Sequence, residues 1–217
     1  MEKRAKTGDK EAKLTLDLVL RAKALLEDGK PARLTKRAAD EEKAFEMLQL
    51  LTALPVLYVC NVEEGAAATG NAHSAAVFAK AKAEGAEAVI VSAAIESELV
   101  AMDAEERSLF LSELGLNETG LARVIRAGYH LLHLITFFTV GPKEARAWTV
   151  HMGAKAPEAA GEIHSDFEKG FIRAETIAYA DYVALNGEAG AKEAGKLRAE
   201  GKGYVVQDGD VMHFLHS

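Results

Sequence analysis

Apolar residues Leu14, Leu18 and Leu25 recur at helical spacing between positions 11 and 27, with polar residues between them, and so predict an amphipathic helix. Gly29 and Pro31 end it. Glycine suits the left-handed position after a helix, and proline cannot continue one. A second helix is expected with Asp40 as its cap and positions 43–51 inside it. Phe45, Leu48 and Leu51 or Thr52 would share one face. The two helices, joined by DGKPARLTKRAA, read as an antiparallel helical hairpin.

The texture changes at Pro55. PVLYVCN is a short continuous apolar run, which predicts a buried strand ending at Asn61. Positions 71–84 read as a helix closed by Gly85, and AEAVIVSAA as a second buried strand ending at Ser92. Strand, helix, strand is a βαβ unit with a parallel pair. Helical patterns follow at 104–114 and 120–132, with Asn117 or Thr119 as cap of the latter. From Leu134, ITFFTV and EARAWTVHMG predict two strands joined by a tight turn. FIRAETIAYADYV and YVVQDGDVMHFLHS give further strands, the last with Asp208-Gly209 as a hairpin dipeptide. Short helices are expected near 157–161 and 182–185, completing a mixed α+β domain.

The chain has 217 residues, enough for one or two domains. Its net charge of −7 argues against general adhesion to nucleic acid or anionic membranes. Against that background the loop containing Lys30, Arg33, Lys36 and Arg37 is locally basic, either a solvated tip or an RNA-facing one. The single cysteine, Cys60, excludes an internal disulfide and a cysteine zinc cluster. With no apolar leader and no long apolar run, a soluble cytoplasmic protein is expected.

Two clusters sit where an open parallel sheet binds ligands, beyond the carboxyl ends of its strands. The first is Asn61, Val62, Glu63 and Glu64. The second is Ser92, Ala93 and Ala94. An Asn amide offers a donor and an acceptor to a purine edge, and Glu64 an acceptor for an exocyclic amine or ring N–H. Small residues at 92–94 let backbone N–H groups approach a base. Taken alone, Asn61 and Glu64 read better as caps of the helix after a strand than as base-binding groups.

N-V-E-E followed by S-A-A resembles the base-reading pair of P-loop GTPases, N-K-x-D and S-A-x. The lysine is absent, and glutamate replaces aspartate. With LLTALPVLYVCN before it and SAAIESEL after it, the variant is similar to that of the YchF/Obg-like ATPase family. GEIHSDFEKGFIRAETIAYADY and GKGYVVQDGDVMHFLHS resemble that family's TGS domain, a β-grasp fold related to ubiquitin. The resemblance implies an α/β chain in three parts: a helical coiled-coil hairpin (1–53), the C-terminal half of a P-loop NTPase, Rossmann-like, G domain (54–133), and a TGS domain (134–217). It implies ATP preferred to GTP, read by Asn61, Val62, Glu64, Ser92, Ala93 and Ala94. It also implies Mg²⁺ in the intact protein, and the ribosome, its large subunit or RNA as partner.

No G-x-x-x-x-G-K-[ST] motif occurs in the sequence, so the amide cradle and the Mg²⁺-binding hydroxyl are expected outside it. No ATP hydrolysis is therefore expected of these residues. Half a parallel sheet would leave an open edge, and a homo-oligomer is one expected remedy. His130 and His133 have metal-compatible spacing without a third ligand, and His164-Ser165-Asp166 lacks the spacing of a triad. Phe137, Phe138 and Trp148 read as core of the tail domain. Phe167 and Phe171 flank a turn at Gly170.

Overall fold

The computed structural model describes residues 9–217, so the first eight positions of the expected 1–53 segment lie outside it. The chain divides into two compact units, Met1–Leu131 and Leu132–Ser217.

In the first unit, helix α1 spans Lys10–Glu27. The Asp9 carboxylate caps it by accepting from the Ala12 N–H. Gly29, at φ 70°, closes it, and the Lys30 N–H donates to the Leu25 carbonyl at 2.9 Å. Leu18 and Ala22 are buried against Ala32 and Phe45. The expected second helix over 43–51 is much shorter: α2 spans only Glu42–Glu46. Gln49 stands at φ 50°, and Leu54 is extended before Pro55, as a residue preceding proline must be. Leu51 is 82% exposed, and the Thr52 hydroxyl accepts from the Ala32 N–H at 3.0 Å. The common face therefore ends at Phe45 and Leu48, and no long antiparallel helix pair forms among the described residues. Asp40 lies in a 3-10 turn rather than at a cap.

Strands β1 (Leu57–Asn61) and β2 (Glu87–Val91) pair in parallel, Leu57 with Glu87 through Asn61 with Val91. Helix α3 (Ala72–Glu84) connects them, capped by Asn71 and closed by left-handed Gly85. A seven-residue helix α4 (Ala93–Leu99) follows β2 directly. Then come α5 (Ala104–Glu113) and α6 (Gly120–Leu131). Thr119 caps α6, accepting from the Ala122 N–H. Glu87 and Val91 of β2 meet α6, through His130 and Gly120, whereas Tyr58 meets the end of α3. Strand alternation puts these contacts on opposite faces, so α3 and α6 sandwich the pair. The strands are less buried than their apolar composition predicts: every β2 residue is half-buried, and Val59 is 50% exposed. The reason is that among the described residues the sheet has two strands, so each keeps an open edge.

The second unit holds β3 (Leu134–Val140), β4 (Ala145–His151), α7 (Ala156–Ile163), α8 (Ser165–Lys169), β5 (Phe171–Ala178), α9 (Tyr179–Ala184), α10 (Glu188–Glu193), β6 (Arg198–Glu200) and β7 (Asp210–His216). The five strands form one sheet in the order β4-β3-β7-β5-β6, with β3 and β7 parallel and the other neighbours antiparallel. Its core is Ile135, Phe137, Val150, Phe171, Met212 and Phe214, with the alanines of α7 closing one face. Asp208-Gly209 is not a hairpin turn. It leads into β7 beside β3: the Asp208 carboxylate accepts from the Thr136 N–H at 2.8 Å, and the Gly209 N–H donates to the Thr136 carbonyl at 2.7 Å. The preceding Tyr204–Gln207 stretch pairs briefly with residues 154–156, the Ala156 N–H donating to the Tyr204 carbonyl at 2.9 Å and the Val206 N–H to the Ala154 carbonyl at 3.0 Å, and side chains add to this hold. Tyr204 donates to buried Asp210 at 2.7 Å, and the Gln207 N–H donates to the same carboxylate oxygen at 2.9 Å.

Candidate functional site

The two loop tips of the first unit are adjacent. β1 ends at Asn61 and β2 one residue before Ser92, and parallel pairing brings both carboxyl ends to the same side of the sheet. The Val62 N–H donates to the Val91 carbonyl at 2.9 Å, extending the ladder past the strand. The Asn61 side chain then crosses between the tips: its Oδ1 accepts from the Ala93 N–H at 3.0 Å. That bond leaves the Nδ2 donor of Asn61 without a protein partner among the described residues. Val62 is buried beneath the loop, and Asn61, Glu64, Ala93 and Ala94 are exposed.

The two acids play different parts. Glu63 accepts from Asn71 Nδ2 at 3.1 Å, while Asn71 Oδ1 caps α3 by accepting from the N–H groups of His73 and Ser74. Glu63 thus latches the first loop to the helix. Glu64 opens a 3-10 turn over Glu64–Ala66 and keeps its carboxylate free of protein partners among the described residues. Arg123 of α6 donates to the Ala67 carbonyl at 3.4 Å, supporting the far end of that turn. Gly70, at φ 77°, brings the backbone so close that a Cβ there would lie 2.5 Å from Ser74 Oγ.

The second tip differs from expectation. Ser92, Ala93 and Ala94 do not form an open loop of free amides. Ser92 is the N-cap residue of α4, and Ala93 and Ala94 are its first turn. The Ala93 N–H is held by Asn61. The Ser92 hydroxyl is buried without a hydrogen-bond partner. Glu96, in the same turn, accepts from the Gly120 and Leu121 N–H groups at 2.6 and 3.2 Å and fixes the start of α6. Sequence reasoning missed Asn71 and Glu96 as the residues that position the tips. Gly70-Asn71 was a visible turn-and-cap signal, whereas nothing local marks Glu96.

A groove of about 400 Å³ runs from Asn61 down the open side of β1, lined by Tyr58, Val59, Asn71, His73 and Val77. A second groove, of about 470 Å³, follows the open side of β2 between α3 and α6.

The chain is 51% identical over 216 residues to the protein named Ribosome-binding ATPase YchF of Bacillus subtilis (strain 168), covering 99% of this chain and 59% of that protein. It is 53% identical over 214 residues to the protein of the same name from Haemophilus influenzae, with the same two coverages. The family YchF-GTPase_C, described as a protein of unknown function (DUF933), matches residues 134–217. The chain is homologous to these YchF proteins over nearly its whole length. It spans about 59% of the length of these YchF relatives. The solved structure titled Structure of the Schizosaccharomyces pombe YchF GTPase matches with TM-score 0.81 and 32% identity, covering 97% of this chain and 56% of that one. A GTP binding protein from Pyrococcus horikoshii OT3 shares the fold, with TM-score 0.54 and 19% identity.

Within this chain the basic loop is largely neutralised from inside. Lys30 pairs with Asp28 at 2.5 Å, Arg33 with Glu84 at 2.6 Å, and Arg37 with Glu42 at 2.5 Å. Arg37 also stacks on Phe45, 4.4 Å from the ring centre. These cations hold the helical segment together and to α3, which weakens their reading as an RNA-facing patch. His130 pairs with Glu87, while His133 stands at φ 52° beyond the end of α6, so the two do not share a helix face. His164 caps α8, its Nδ1 accepting from the Asp166 N–H at 3.2 Å. Among the described residues no three His, Cys, Asp or Glu side chains converge on a point. Among them, too, no helix is long and apolar enough to cross a membrane.

Proposed function

We propose that the first unit carries the base-reading half of a purine-nucleotide site, with ATP preferred to GTP. The observation that supports it most directly is the Asn61–Ala93 hydrogen bond, which joins the two loop tips and leaves one amide donor and the Glu64 carboxylate uncommitted. A donor suits a ring nitrogen of the base, and a carboxylate acceptor suits the exocyclic amine of adenine. The buried, unpartnered Ser92 hydroxyl adds a polar group at the same tip. Bound ATP would carry the phosphates that this sequence has no P-loop motif to cradle, and any Mg²⁺ would travel with them. Val62 would pack below the base, and Ala93 and Ala94 would supply a surface small enough for close approach.

The second unit is read as a TGS domain of β-grasp form. Its support is the sheet order, in which the first and last strands lie parallel at the centre with antiparallel strands outside. The whole-protein role that fits is a ribosome-associated, ATP-dependent factor acting in a soluble compartment, in line with the names of the YchF relatives. The chain alone is expected to hydrolyse no ATP. The test is titration of the chain with ATP and GTP, followed by amide NMR. Shifts at Asn61, Glu64, Ser92 and Ala94 that saturate earlier with ATP support the reading. Equal or absent shifts at these residues refute it. Ribosome co-sedimentation with and without ATP tests the partner separately.

A further inference from the structure

The sheet of the second unit opens along part of β7. That strand stays paired with β5 as far as His216, which lies opposite Phe171. Its other neighbour, β3, meets it in register at Phe138 and Val211, so Val140, the last residue of β3, lies level with His213. There β3 turns back into β4 through positions 141–144, the Gly141 N–H donating to the Glu144 carbonyl at 2.9 Å. Beyond that level, no strand lies beside β7 on this side among the described residues.

The backbone beyond the turn faces outward. The Ser217 N–H donates to the Gly170 carbonyl, on the β5 side. By the period of two, Phe214 and His216 turn their N–H and C=O groups away from β5. A groove of about 540 Å³ occupies the gap, lined by Met212 and Phe214 of β7, Trp148 of β4, and Ile163 and Phe167 of α7 and α8. His216 stacks on Phe167, with ring centres 3.9 Å apart. Two cations stand at the hairpin end. Lys143 lines the groove, and the Arg146 guanidinium lies over Trp148, 4.1 Å from the ring centre. Neither has a carboxylate partner among the described residues, and the one acid in the lining, Glu144, is exposed.

We propose that this groove binds the C-terminal end of a partner protein, added to β7 as a short antiparallel strand. The polarity follows from the hairpin tip and its charge. A chain laid beside Phe214 and His216 is stopped by the tip, so one of its own ends lies there. An antiparallel chain brings its terminal carboxylate to Lys143 and Arg146, whereas a parallel one would bring an ammonium to the same cations. Directly opposed residues of an antiparallel pair share a face. The residues opposite Phe214 and His216, the last and third-from-last of the partner, therefore enter the groove and must be apolar. The residue between them points to the other face. This inference rests on the second unit alone and is independent of nucleotide binding.

The experiment selects peptides on the full chain from a random library displayed with free carboxyl ends. The selected peptide is then titrated in two forms, with its carboxylate and as its amide. Trp148 is the single tryptophan, so its fluorescence reports occupancy. Apolar residues are expected at the last and third-from-last positions, with the amide bound at least about tenfold more weakly. Amide exchange at Phe214 and His216 should slow in the complex. The double variant Lys143→Gln and Arg146→Gln should lose a similar factor with unchanged circular dichroism. A library that yields no sequence overturns the proposal. So does a peptide bound equally well as its amide, a double variant that binds like the wild type, or exchange at Phe214 and His216 that does not change. An oligouridylate that displaces the peptide and slows the same amides more strongly would also overturn it, assigning the groove to single-stranded RNA.

Discussion

The side chain of Asn61 has two functions that a pair of substitutions separates. Its Oδ1 ties the tips together through the Ala93 N–H, and its Nδ2 remains for a ligand. Asn61→Ala removes both. The tie is exposed, so its loss should cost near the low end of a typical net hydrogen bond, about 0.5–1 kcal/mol of unit stability. Asn61→Asp keeps an acceptor for Ala93 and places a negative charge at the start of α4. That should hold stability level or raise it by a few tenths of a kcal/mol, offset in part by the nearby Glu63 and Glu64. It deletes the donor, however, and adds repulsion toward phosphate and base acceptors. Binding of ATP should weaken by at least about 1.4 kcal/mol, or tenfold, in Asn61→Asp as in Asn61→Ala. Urea unfolding and NMR titration with ATP measure the two quantities on the same samples. If Asn61→Asp binds ATP within about twofold of the wild type while Asn61→Ala does not, the residue acts only as a tie and the base-reading role fails.

Glu84→Gln should destabilise the first unit by about 1–3 kcal/mol in urea unfolding. It leaves the mostly buried Arg33 guanidinium without its carboxylate and weakens the acceptor for the Tyr58 hydroxyl. Acid should loosen the α1–α2 segment. Hydrogen bonding from Arg21 holds the Glu41 carboxyl below its ordinary value of 4.5, and Arg37 does the same for Glu42. Their folded values are depressed, so the stability is present above pH 4.5 and is lost as pH falls through the lower folded values. Helical circular dichroism between pH 6 and pH 2, with the double variant Glu41→Gln and Glu42→Gln as the insensitive control, checks this. In the second unit, burial and then the Asp210 carboxylate push the Tyr204 phenol up to about 12. A raised value stabilises below the ordinary value of 10.0 and loses that stability as pH rises through 12, which absorbance of the phenolate will follow. Gly70→Ala should cost upward of about 1 kcal/mol, because left-handed backbone and the Ser74 hydroxyl both oppose a Cβ there.

Legibility from the sequence followed the range of the forces involved. α1, α3, α6 and both parallel strands were readable because period, cap and closing residue agree within a few positions, as at Asn71 and Gly85 for α3. The second hairpin helix failed where they disagree. Phe45, Leu48 and Leu51 have helical spacing, but Leu51 points to solvent, and the segment is turned by Gln49 and the extended approach to Pro55. Asp208-Gly209 has the composition of a hairpin, yet its hydrogen bonds go to Thr136, some 70 positions away, which no local pattern encodes. The same division runs through the site. Strand ends at Asn61 and Ser92 predicted two adjacent tips, and parallel register brings them together. What the pattern could not carry is which groups are consumed. Glu63 is tied to Asn71 and the Ala93 amide to Asn61, while Glu64 and the Asn61 Nδ2 are left over. The candidate chemistry therefore rests on the residue of an internal hydrogen-bond account. A loop tip whose polar groups were all satisfied internally would have the same sequence signature and nothing left with which to hold a base.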